Sequence, residues 1–442
     1  MHSRILFAHL TEIGDEMLWE DEVGCSQVLY HLYFLVINQE VGYYLCNCSG
    51  IFQLIWRKKE GGHHMTYQLK HFDSVLLEFE AIENSDVPEI DILWVDEECN
   101  DLLPLDMEVS SEGIAKWLKN RAIPKSRAYA RIFLSHCGLH INRSLSVIAV
   151  CRGLSLNDCY WVVQKGFNGT FEECNLYDNK FSRVLAWLAF TGYGSNVRSS
   201  LASSPEFTTN GMLPKCWRRI NGKIMLYKAG STGASNAGNE PYSEYYAAQI
   251  AYAMGIDAIP YNLSKFKGYL CSACELFTSK ERAFIPVGRL VGKGGFSAVR
   301  EYYKSLGSTY VDALNDMIVF DAVICNEDRH FGNFGFYVDN RENKIIAPAP
   351  LFDHGLSLFC FAGTRDLSSE DALSDYVDTL MPRTYDDFIG EARKVMTDRH
   401  REMLRHLLTF RFKKHPSYNL PAKRLKLIEA QVQKRARLLL ER

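Results

Sequence analysis

The sequence lacks an apolar run long enough to cross a bilayer. The longest run, residues 28–37, is interrupted by His31 and is much shorter than the roughly 20 residues that a membrane-spanning helix needs. The first residues, MHSRILFAHLTEIGDE, hold too short an apolar run for a signal peptide, and acidic residues follow it at once. We therefore expect a cytoplasmic protein without a membrane partner.

A strong excess of charge of either sign is also absent. The 50 Lys and Arg residues nearly balance the 53 Asp and Glu residues, which leaves a formal net charge of -3. Proteins that bind nucleic acid or anionic membranes through bulk charge are usually strongly basic, so we expect no direct nucleic-acid partner. The 13 cysteines are an odd set without disulfide-framework spacing, which indicates reduced thiols in a cytosol.

Length and patterning predict an α+β protein with several parts. A chain of 442 residues is expected to form two or three domains or lobes. Short alternating runs predict a β-rich N-terminal accessory region over residues 1–110, followed by a mixed helical connecting segment over residues 111–200. Beyond it we predict a small β lobe with one helix over residues 201–278 and a helical C lobe over residues 279–442. This order is that of a two-lobed, protein-kinase-like fold.

Local signals predict the elements of the small lobe. Asn221-Gly222 lies between two apolar runs, which is typical of a two-residue hairpin. The second run, IMLYK, ends at Lys228. A Gly/Ser/Asn loop then leads to a helix that begins after Asn239 as its N-cap and ends at Gly255.

The most informative motifs are NEDRHFGN, residues 326–333, and LFDHG, residues 351–355. Two carboxylates and an amide at fixed offsets are what phosphoryl transfer from ATP requires. Asp328 is predicted to be the base or the carboxylate that orients the substrate hydroxyl. Asn333 and Asp353 are predicted to hold Mg²⁺, since this cation prefers oxygen ligands and takes most of them from the nucleotide and water. The structural alternative is a polar turn after a helix.

Lys228 is predicted to neutralise the nucleotide phosphates, with a helix Glu to hold it in place. Glu240 and Glu244 lie one helical turn apart on the same face. We prefer Glu244 because the helix dipole alone accounts for Glu240 near the helix N-terminus.

Several neighbouring residues have open interpretations. His330 either supports the loop through hydrogen bonds or takes part in the chemistry. Arg329 pairs with a phosphate or a nearby acid, or is simply exposed. Glu275 and Phe277 follow an apolar strand where the two lobes would join, so their backbone groups are candidates to bind adenine.

Two further patterns resemble functional motifs but are interpreted as structural. GKGGFSAV, residues 292–299, is similar to a kinase glycine loop, yet it lies too close to the proposed catalytic loop for a β lobe to follow it. We predict a loop that leads into a helix. Cys271 and Cys274 have metal-ligand spacing but lack a second pair at a zinc distance, which favours strand cysteines.

Together these segments resemble the HipA-type serine/threonine kinases, a bacterial branch that includes toxin components of toxin–antitoxin pairs. NEDRHFGN resembles the catalytic loop N-x-D-x-H-x-x-N of the family, APLFDHG its metal-binding strand and SEYYAAQIAYAMGI its helix. The resemblance covers about residues 200–360 well and the helical tail loosely.

TTNGMLPKCW resembles the family loop S-x-x-G-x-x-x-K, which covers the phosphates and bears the autophosphorylated residue. The resemblance implies Thr208 as the acceptor, with Thr209 as the adjacent alternative, and Gly211 and Lys215 as nucleotide-binding residues. This chain has Thr where the family has Ser, and this departure affects the position through which autophosphorylation would regulate the kinase. The resemblance also implies ATP and Mg²⁺ as cofactors, a protein substrate with a Ser or Thr acceptor, and an antitoxin-type partner.

Two other functions stay open. Phosphoinositide kinases also combine D-R-H-x-x-N with an Asp-containing strand, so a lipid or small-molecule kinase is an alternative, although a basic membrane face is lacking. A non-catalytic binding module that keeps the kinase fold is the other alternative. The joint presence of the proposed site residues argues against such a module: Lys228, Glu244, Asp328, Asn333 and Asp353.

Overall fold

The computed structural model describes residues 16–17, 30–37, 40–46, 52–55, 65–83, 87–194 and 203–441. The chain divides into two units, Met1–His64 and Met65–Arg442. The first unit contains four antiparallel strands, which pair in chain order: β1 (Glu16–Met17), β2 (Tyr30–Ile37), β3 (Glu40–Cys46) and β4 (Phe52–Ile55). The remainder of this unit, including the N-terminal segment considered as a signal peptide, lies outside the described residues.

The second unit begins with an accessory part that combines one antiparallel sheet with several short helices. Its strands are β5 (Met65–His71), β6 (Ser74–Ile82), β7 (Glu89–Val95) and β8 (Tyr160–Gln164). Its helices are α1 (Ser111–Asn120), α2 (Ala130–His136), α3 (Ser144–Cys151), α4 (Phe171–Cys174) and α5 (Arg183–Thr191). The strand order is β7-β6-β5-β8, so strands from either side of residue 110 share one sheet.

Alternation of side chains explains how this sheet forms a core. Tyr67 and Leu69 on β5 point to the same face and are buried, whereas their neighbours are partly exposed. Ile114 and Leu118 on α1 lie one helical turn apart and pack into the same cluster. The accessory part therefore has its own hydrophobic core.

The small β lobe follows a short 3-10 turn, Pro205–Phe207. It consists of β9 (Lys215–Ile220), β10 (Lys223–Ala229), α6 (Glu240–Met254), β11 (Asn262–Phe266) and β12 (Tyr269–Glu275). The antiparallel sheet has the order β11-β12-β10-β9. Asn221 and Gly222 both have positive φ, 50° and 80°, as a two-residue hairpin turn requires, and Gly255 ends α6 with a φ of 70°. The predicted hairpin and helix are thus confirmed, and Cys271 and Cys274 are strand cysteines on β12.

The C lobe is mainly helical. It contains a three-stranded sheet of β13 (Arg282–Pro286), β14 (Gly335–Asp339) and β15 (Lys344–Pro348). Its helices are α7 (Val287–Leu290), α8 (Gly295–Leu306), α9 (Ser308–Ile324), α10 (Glu370–Val377), α11 (Phe388–Val395), α12 (Asp398–Arg405) and α13 (Ala422–Leu440). The predicted hairpin between the two motifs is β14–β15, and the glycine-rich segment at residues 292–295 leads into α8 as predicted.

Helix α9 forms the centre of this lobe. Its last turns are buried on every side, from Met317 to Ile324, and pack against α8, α11 and α13. The buried helix ends directly before the NEDRHFGN loop, so the loop is held on a rigid support. The predicted α+β, two-lobed architecture is confirmed.

Within the described residues, none of the helices combines the length and apolar character that a membrane span requires.

Candidate active site

Lys228 lies between two carboxylates that come from different parts of the chain. Its Nζ is 2.5 Å from Glu244 Oε1 and also contacts Asp353 Oδ1. Lys228 is on β10, Glu244 is on α6, and Asp353 follows β15 in the C lobe. The ammonium of Lys228 therefore links the sheet and helix of the small lobe to the second sequence motif.

Strand register explains why Glu244 and not Glu240 meets the lysine. The pairing of β10 with β12 places Lys228 opposite Ser272, and Ser272 Oγ donates a hydrogen bond to Glu244 Oε2 at 2.7 Å. Glu240, one turn earlier, accepts a hydrogen bond from the Ser231 backbone N–H at 3.1 Å. The structure thus brings Lys228 and Glu244 together, and Glu240 holds the loop before α6.

Electrostatics favour the charged forms of Lys228 and Asp353. Burial alone would lower the pKa of Lys228, but the carboxylates of Asp353 and Glu244 raise it above its ordinary value. Burial raises the pKa of Glu244, and Lys228 opposes that effect. Burial also favours a higher pKa for Asp353, yet Lys228 and Lys215 hold it well below its usual range. An ionised Asp353 is therefore available at neutral pH.

The backbone of Asp353 is in the left-handed region, with a φ of 57°. Asp adopts this conformation more readily than most residues, but it still requires support from its surroundings. The Asp353 N–H donates a hydrogen bond to Tyr261 Oη at 3.1 Å, and Leu351 pairs with Ala258 in a parallel bridge. These contacts hold the turn that directs the Asp353 carboxylate to Lys228.

Asp328 and Asn333 are held by hydrogen bonds within the loop that follows α9. Asn326 Oδ1 accepts a hydrogen bond from the Asp328 N–H at 3.2 Å, and Asn333 Nδ2 donates to Asp328 O at 3.2 Å. The side-chain amide nitrogen of Asn333 is therefore engaged inside the loop.

His330 supports the same loop. Its Nδ1 accepts a hydrogen bond from the Gly332 N–H at 3.0 Å. Burial lowers the pKa of His330, and the nearby carboxylate of Asp328 opposes this effect. A neutral imidazole that accepts a backbone hydrogen bond agrees with a His330 that supports the loop rather than taking part in the chemistry.

Arg329 is buried and pairs with an acid. Its Nε and Nη2 lie 2.9 and 3.0 Å from the two carboxylate oxygens of Asp321, and Nη1 donates to Asn333 O and Phe352 O at 3.2 and 2.6 Å. Arg329 thus joins the NEDRHFGN loop to the strand before Asp353. Our sequence reasoning did not include Asp321, although a single acid within the apolar run MIVFDAVI is a signal, because a buried charge needs a partner.

The Asp328 carboxylate contacts Arg383 Nη1, from the segment after α10. The side chain of Asp328 is 31% exposed and that of Arg383 is 58% exposed. The proposed base is therefore reachable from solvent and is held by an exposed ion pair.

The loop proposed to cover the phosphates, residues 208–215, rests on the accessory part. Thr208 is buried, and its Oγ1 donates a hydrogen bond to Leu154 O at 2.9 Å. Thr209 Oγ1 accepts one from Trp217 Nε1 at 2.9 Å. Since both hydroxyl groups are engaged, phosphorylation of Thr208 requires this loop to move.

Arg127 fixes both ends of this loop and is absent from our sequence-based assignments. The guanidinium is buried and donates hydrogen bonds to the carbonyl oxygens of Glu206 and Lys215, both at 2.8 Å, and of Thr209 at 3.2 Å. These partners are 79 to 88 positions away in the sequence. No local pattern in the sequence could have identified Arg127.

Gly211 and Lys215 meet inside the same loop. Gly211 has a φ of 94°, and a Cβ atom on it would collide with Lys215 Nζ. Burial lowers the pKa of Lys215 to about 7, and the ammonium of Lys228 acts in the same direction. The side-chain nitrogen of Lys215 thus lies against Gly211, a position whose backbone conformation favours glycine.

The proposed adenine-contacting residues have different environments. The Glu275 side chain is 49% exposed and pairs with Lys223 at 2.6 Å, outside the lobe junction. The Leu276 N–H donates to a backbone oxygen at the start of β10 at 2.8 Å. The Phe277 ring packs against Phe352 with ring centroids 5.4 Å apart. Of the two residues, Phe277 therefore packs against the C lobe, whereas the Glu275 side chain pairs within the small lobe.

One cavity of about 1270 Å³ joins these parts. Its lining includes most of the proposed site residues: Thr208, Gly211, Lys215, Lys228, Glu244, Phe277, Asp328, His330, Asn333 and Asp353. Within the described residues, groups of three or more His, Cys, Asp or Glu side chains arranged for a metal ion do not occur. The oxygens of Asn333 and Asp353 nevertheless fit Mg²⁺ that is carried largely by nucleotide phosphates, since such a cation needs only one or two protein ligands.

The described residues thus define a two-lobed, kinase-like fold with a cavity between sheet, helix and catalytic-type loop. No protein-family model and no curated protein matches the chain. Among solved structures, the chain is similar to the proinflammatory kinase CtkA of Helicobacter pylori, with 18% identity and a TM-score of 0.42. The match covers 51% of this chain and 92% of that one.

The chain is also similar to a structure of the HipA, HipB and operator DNA complex, a toxin–antitoxin system of Shewanella oneidensis MR-1. The identity is 15%, the TM-score is 0.46, and the match covers 84% of this chain and 96% of that one. A HipA system is thus among the structures to which the chain is similar, as the sequence motifs predict.

Proposed function

We propose that this chain is an ATP- and Mg²⁺-dependent phosphotransferase, and specifically a HipA-type serine/threonine protein kinase. The observation that carries the proposal is the contact of Lys228 with both Glu244 and Asp353, in the cavity that Asp328 and Asn333 also line. A lysine held by a helix glutamate, next to a carboxylate ligand and a separate base, is the arrangement that phosphoryl transfer uses.

Each group has a distinct role in this proposal. Lys228 and Lys215 neutralise nucleotide phosphates, and the loop of residues 208–215 covers them. Asn333 and Asp353 would hold Mg²⁺, which supplies further neutralisation of the phosphate charge. Asp328 accepts the proton of the acceptor hydroxyl. The oxygen of that hydroxyl forms a bond to the γ-phosphorus as the bond between the γ-phosphorus and ADP breaks.

The choice of a Ser or Thr acceptor in a protein, and of an antitoxin-type partner, depends on the motif resemblance. One similar structure is a complex of HipA with HipB and operator DNA, so an antitoxin-type protein is the partner we propose to test first. A lipid or a small molecule is the alternative acceptor, and the lysate experiment described for this function distinguishes it from a protein.

Autophosphorylation of Thr208 is a further part of the proposal. A phosphate adds about −1.5 to −2 charges at neutral pH, which would repel the nucleotide phosphates and keep the loop displaced. The alternative is that Thr208 and Thr209 only bond nearby backbone, and both hydroxyls do make such bonds here. Intact mass after incubation with ATP, for the wild type and Thr208→Ala, distinguishes the two.

The function is tested by incubating a bacterial lysate with Mg²⁺ and ATP together with the wild-type protein or Asp328→Asn. We expect new phosphoserine or phosphothreonine sites by mass spectrometry with the wild type, and far fewer with the variant. Equal phosphorylation by both proteins would reject the assignment of Asp328. Phosphorylation of metabolites or lipids alone would reject the protein kinase and leave the phosphotransferase.

A further inference from the structure

Arg383 places a positive charge directly on the proposed base. It follows α10 in a segment whose backbone is well anchored, because Pro382 is buried and the Tyr385 ring packs against Phe296 with centroids 5.3 Å apart. The guanidinium extends from this anchored segment to the Asp328 carboxylate. The segment is thus fixed, while the tip of the arginine is free to change partners.

The exposure of this ion pair makes it exchangeable. Exposed ion pairs are held weakly, because water and dissolved ions compete for both partners. The neighbouring pair of Arg329 and Asp321 differs, since both of those side chains are at most 1% exposed and the contact is bidentate. An anionic group that approaches from solvent can therefore replace Asp328 as the partner of Arg383, but it cannot replace Asp321 as the partner of Arg329.

Other basic side chains line the same cavity. The Gly288 N–H donates to Phe331 O at 2.9 Å, which places α7 against the loop that bears Asp328. The next residue, Arg289, pairs with Asp106 and donates to Asn120 O at the end of α1. Two lysines near this helix end, Lys119 and Lys125, also line the cavity. The cavity lining thus contains basic residues besides Arg383.

We infer that Arg383 is a specificity-determining residue that selects acceptors with an acidic residue beside the Ser or Thr hydroxyl. The acidic side chain of the acceptor replaces Asp328 as the partner of Arg383, and Asp328 is then free to accept the hydroxyl proton. Charge complementarity at such a rim contributes to specificity more than to overall affinity. This inference rests on the proposed kinase function and names the substrate class of the same site.

The test uses the full-length protein, Mg²⁺, ATP and two Ser peptides that differ only by Glu or Gln next to the serine. We expect wild-type kcat/KM to favour the Glu peptide by roughly fivefold, the factor that about 1 kcal/mol, the upper range for an exposed ion pair, produces. Arg383→Ala should bring the ratio close to one, Arg383→Lys should restore part of it, and Arg383→Glu should favour the Gln peptide.

Arg401→Ala is the matched control. Arg401 is an exposed arginine on α12 that pairs with Asp398 on the same helix, away from the cavity lining. It should leave the peptide ratio unchanged. Equal rates of the wild type on both peptides, or an acidic preference that survives in Arg383→Ala, would overturn the inference while the kinase proposal stands. Failure of the wild type to phosphorylate any peptide or lysate protein would reject both.

Discussion

Removal of the Lys228 ammonium should destabilise the small lobe strongly. Lys228→Met leaves the buried Glu244 and the adjacent Asp353 without the cation between them, and breaking a buried pair in this way costs about 3–5 kcal/mol of unfolding free energy. Glu244→Gln keeps the shape and one acceptor but removes a charge, so we expect a loss of about 1–3 kcal/mol. The double variant should lose less than the sum of the two single losses, by about 0.5–3 kcal/mol. Once Glu244 carries no charge, removal of the Lys228 ammonium no longer leaves that buried charge unpaired.

Urea unfolding monitored by circular dichroism measures these losses as changes in midpoint at a constant slope. The Lys223–Glu275 pair is a matched control, since Lys223 lies on the same strand, β10, and its 2.6 Å contact with Glu275 on β12 joins side chains that are 62% and 49% exposed. Lys223→Met and Glu275→Gln should each cost at most about 1 kcal/mol. The reasoning is refuted if the Lys228 and Glu244 losses add to within about 0.5 kcal/mol, or if the exposed pair costs as much.

Three further outcomes are expected. Asp328→Asn should lower phosphoryl transfer by roughly 10²–10⁴-fold with ATP affinity nearly intact, and a fall in affinity at unchanged turnover would show that its role is different. The pKa of Lys215 is near 7, so this residue loses its charge as pH rises through neutrality. Calorimetric ATP affinity should therefore fall with rising pH in the wild type but not in Lys215→Met, and a flat wild-type profile would contradict this. Arg127→Ala removes two hydrogen bonds to the 208–215 loop, at Thr209 and Lys215, and a third to Glu206 just before it. It should raise the KM for ATP by roughly tenfold with a smaller effect on kcat, while amide exchange in the loop accelerates. Unchanged exchange would mean that Arg127 does not hold the loop.

The elements that could be predicted from the sequence are those that local patterns define. Asn221-Gly222 specifies a tight turn because both residues tolerate positive φ, and the apolar runs on either side become β9 and β10. Helix α6 lies between the expected residues, Asn239 and Gly255. Lys228 and Glu244 could be paired in advance because strand end and helix face restrict the possible partners to two.

The contacts that could not be predicted join residues far apart in the chain. Arg127 donates hydrogen bonds to a segment about 80 positions later in the sequence, and Asp328 pairs with Arg383, which is 55 positions away. Hydrophobic periodicity reports which face of an element is buried but not which element covers it. For the same reason the sequence does not show that Thr208 is buried against Leu154, nor that β8 completes the sheet of β5 to β7.

Label transfer from ATP is the measurement that tests the proposed phosphotransferase most directly. The wild type and Asp353→Ala are incubated with Mg²⁺, a bacterial lysate and ATP labelled on either the γ- or the α-phosphate. Our account predicts that the wild type transfers the γ-label but not the α-label, and that Asp353→Ala transfers neither, because the metal loses a charged ligand that the phosphates cannot replace. Full transfer by Asp353→Ala, transfer of the α-label, or a folded wild type that labels no acceptor would contradict it.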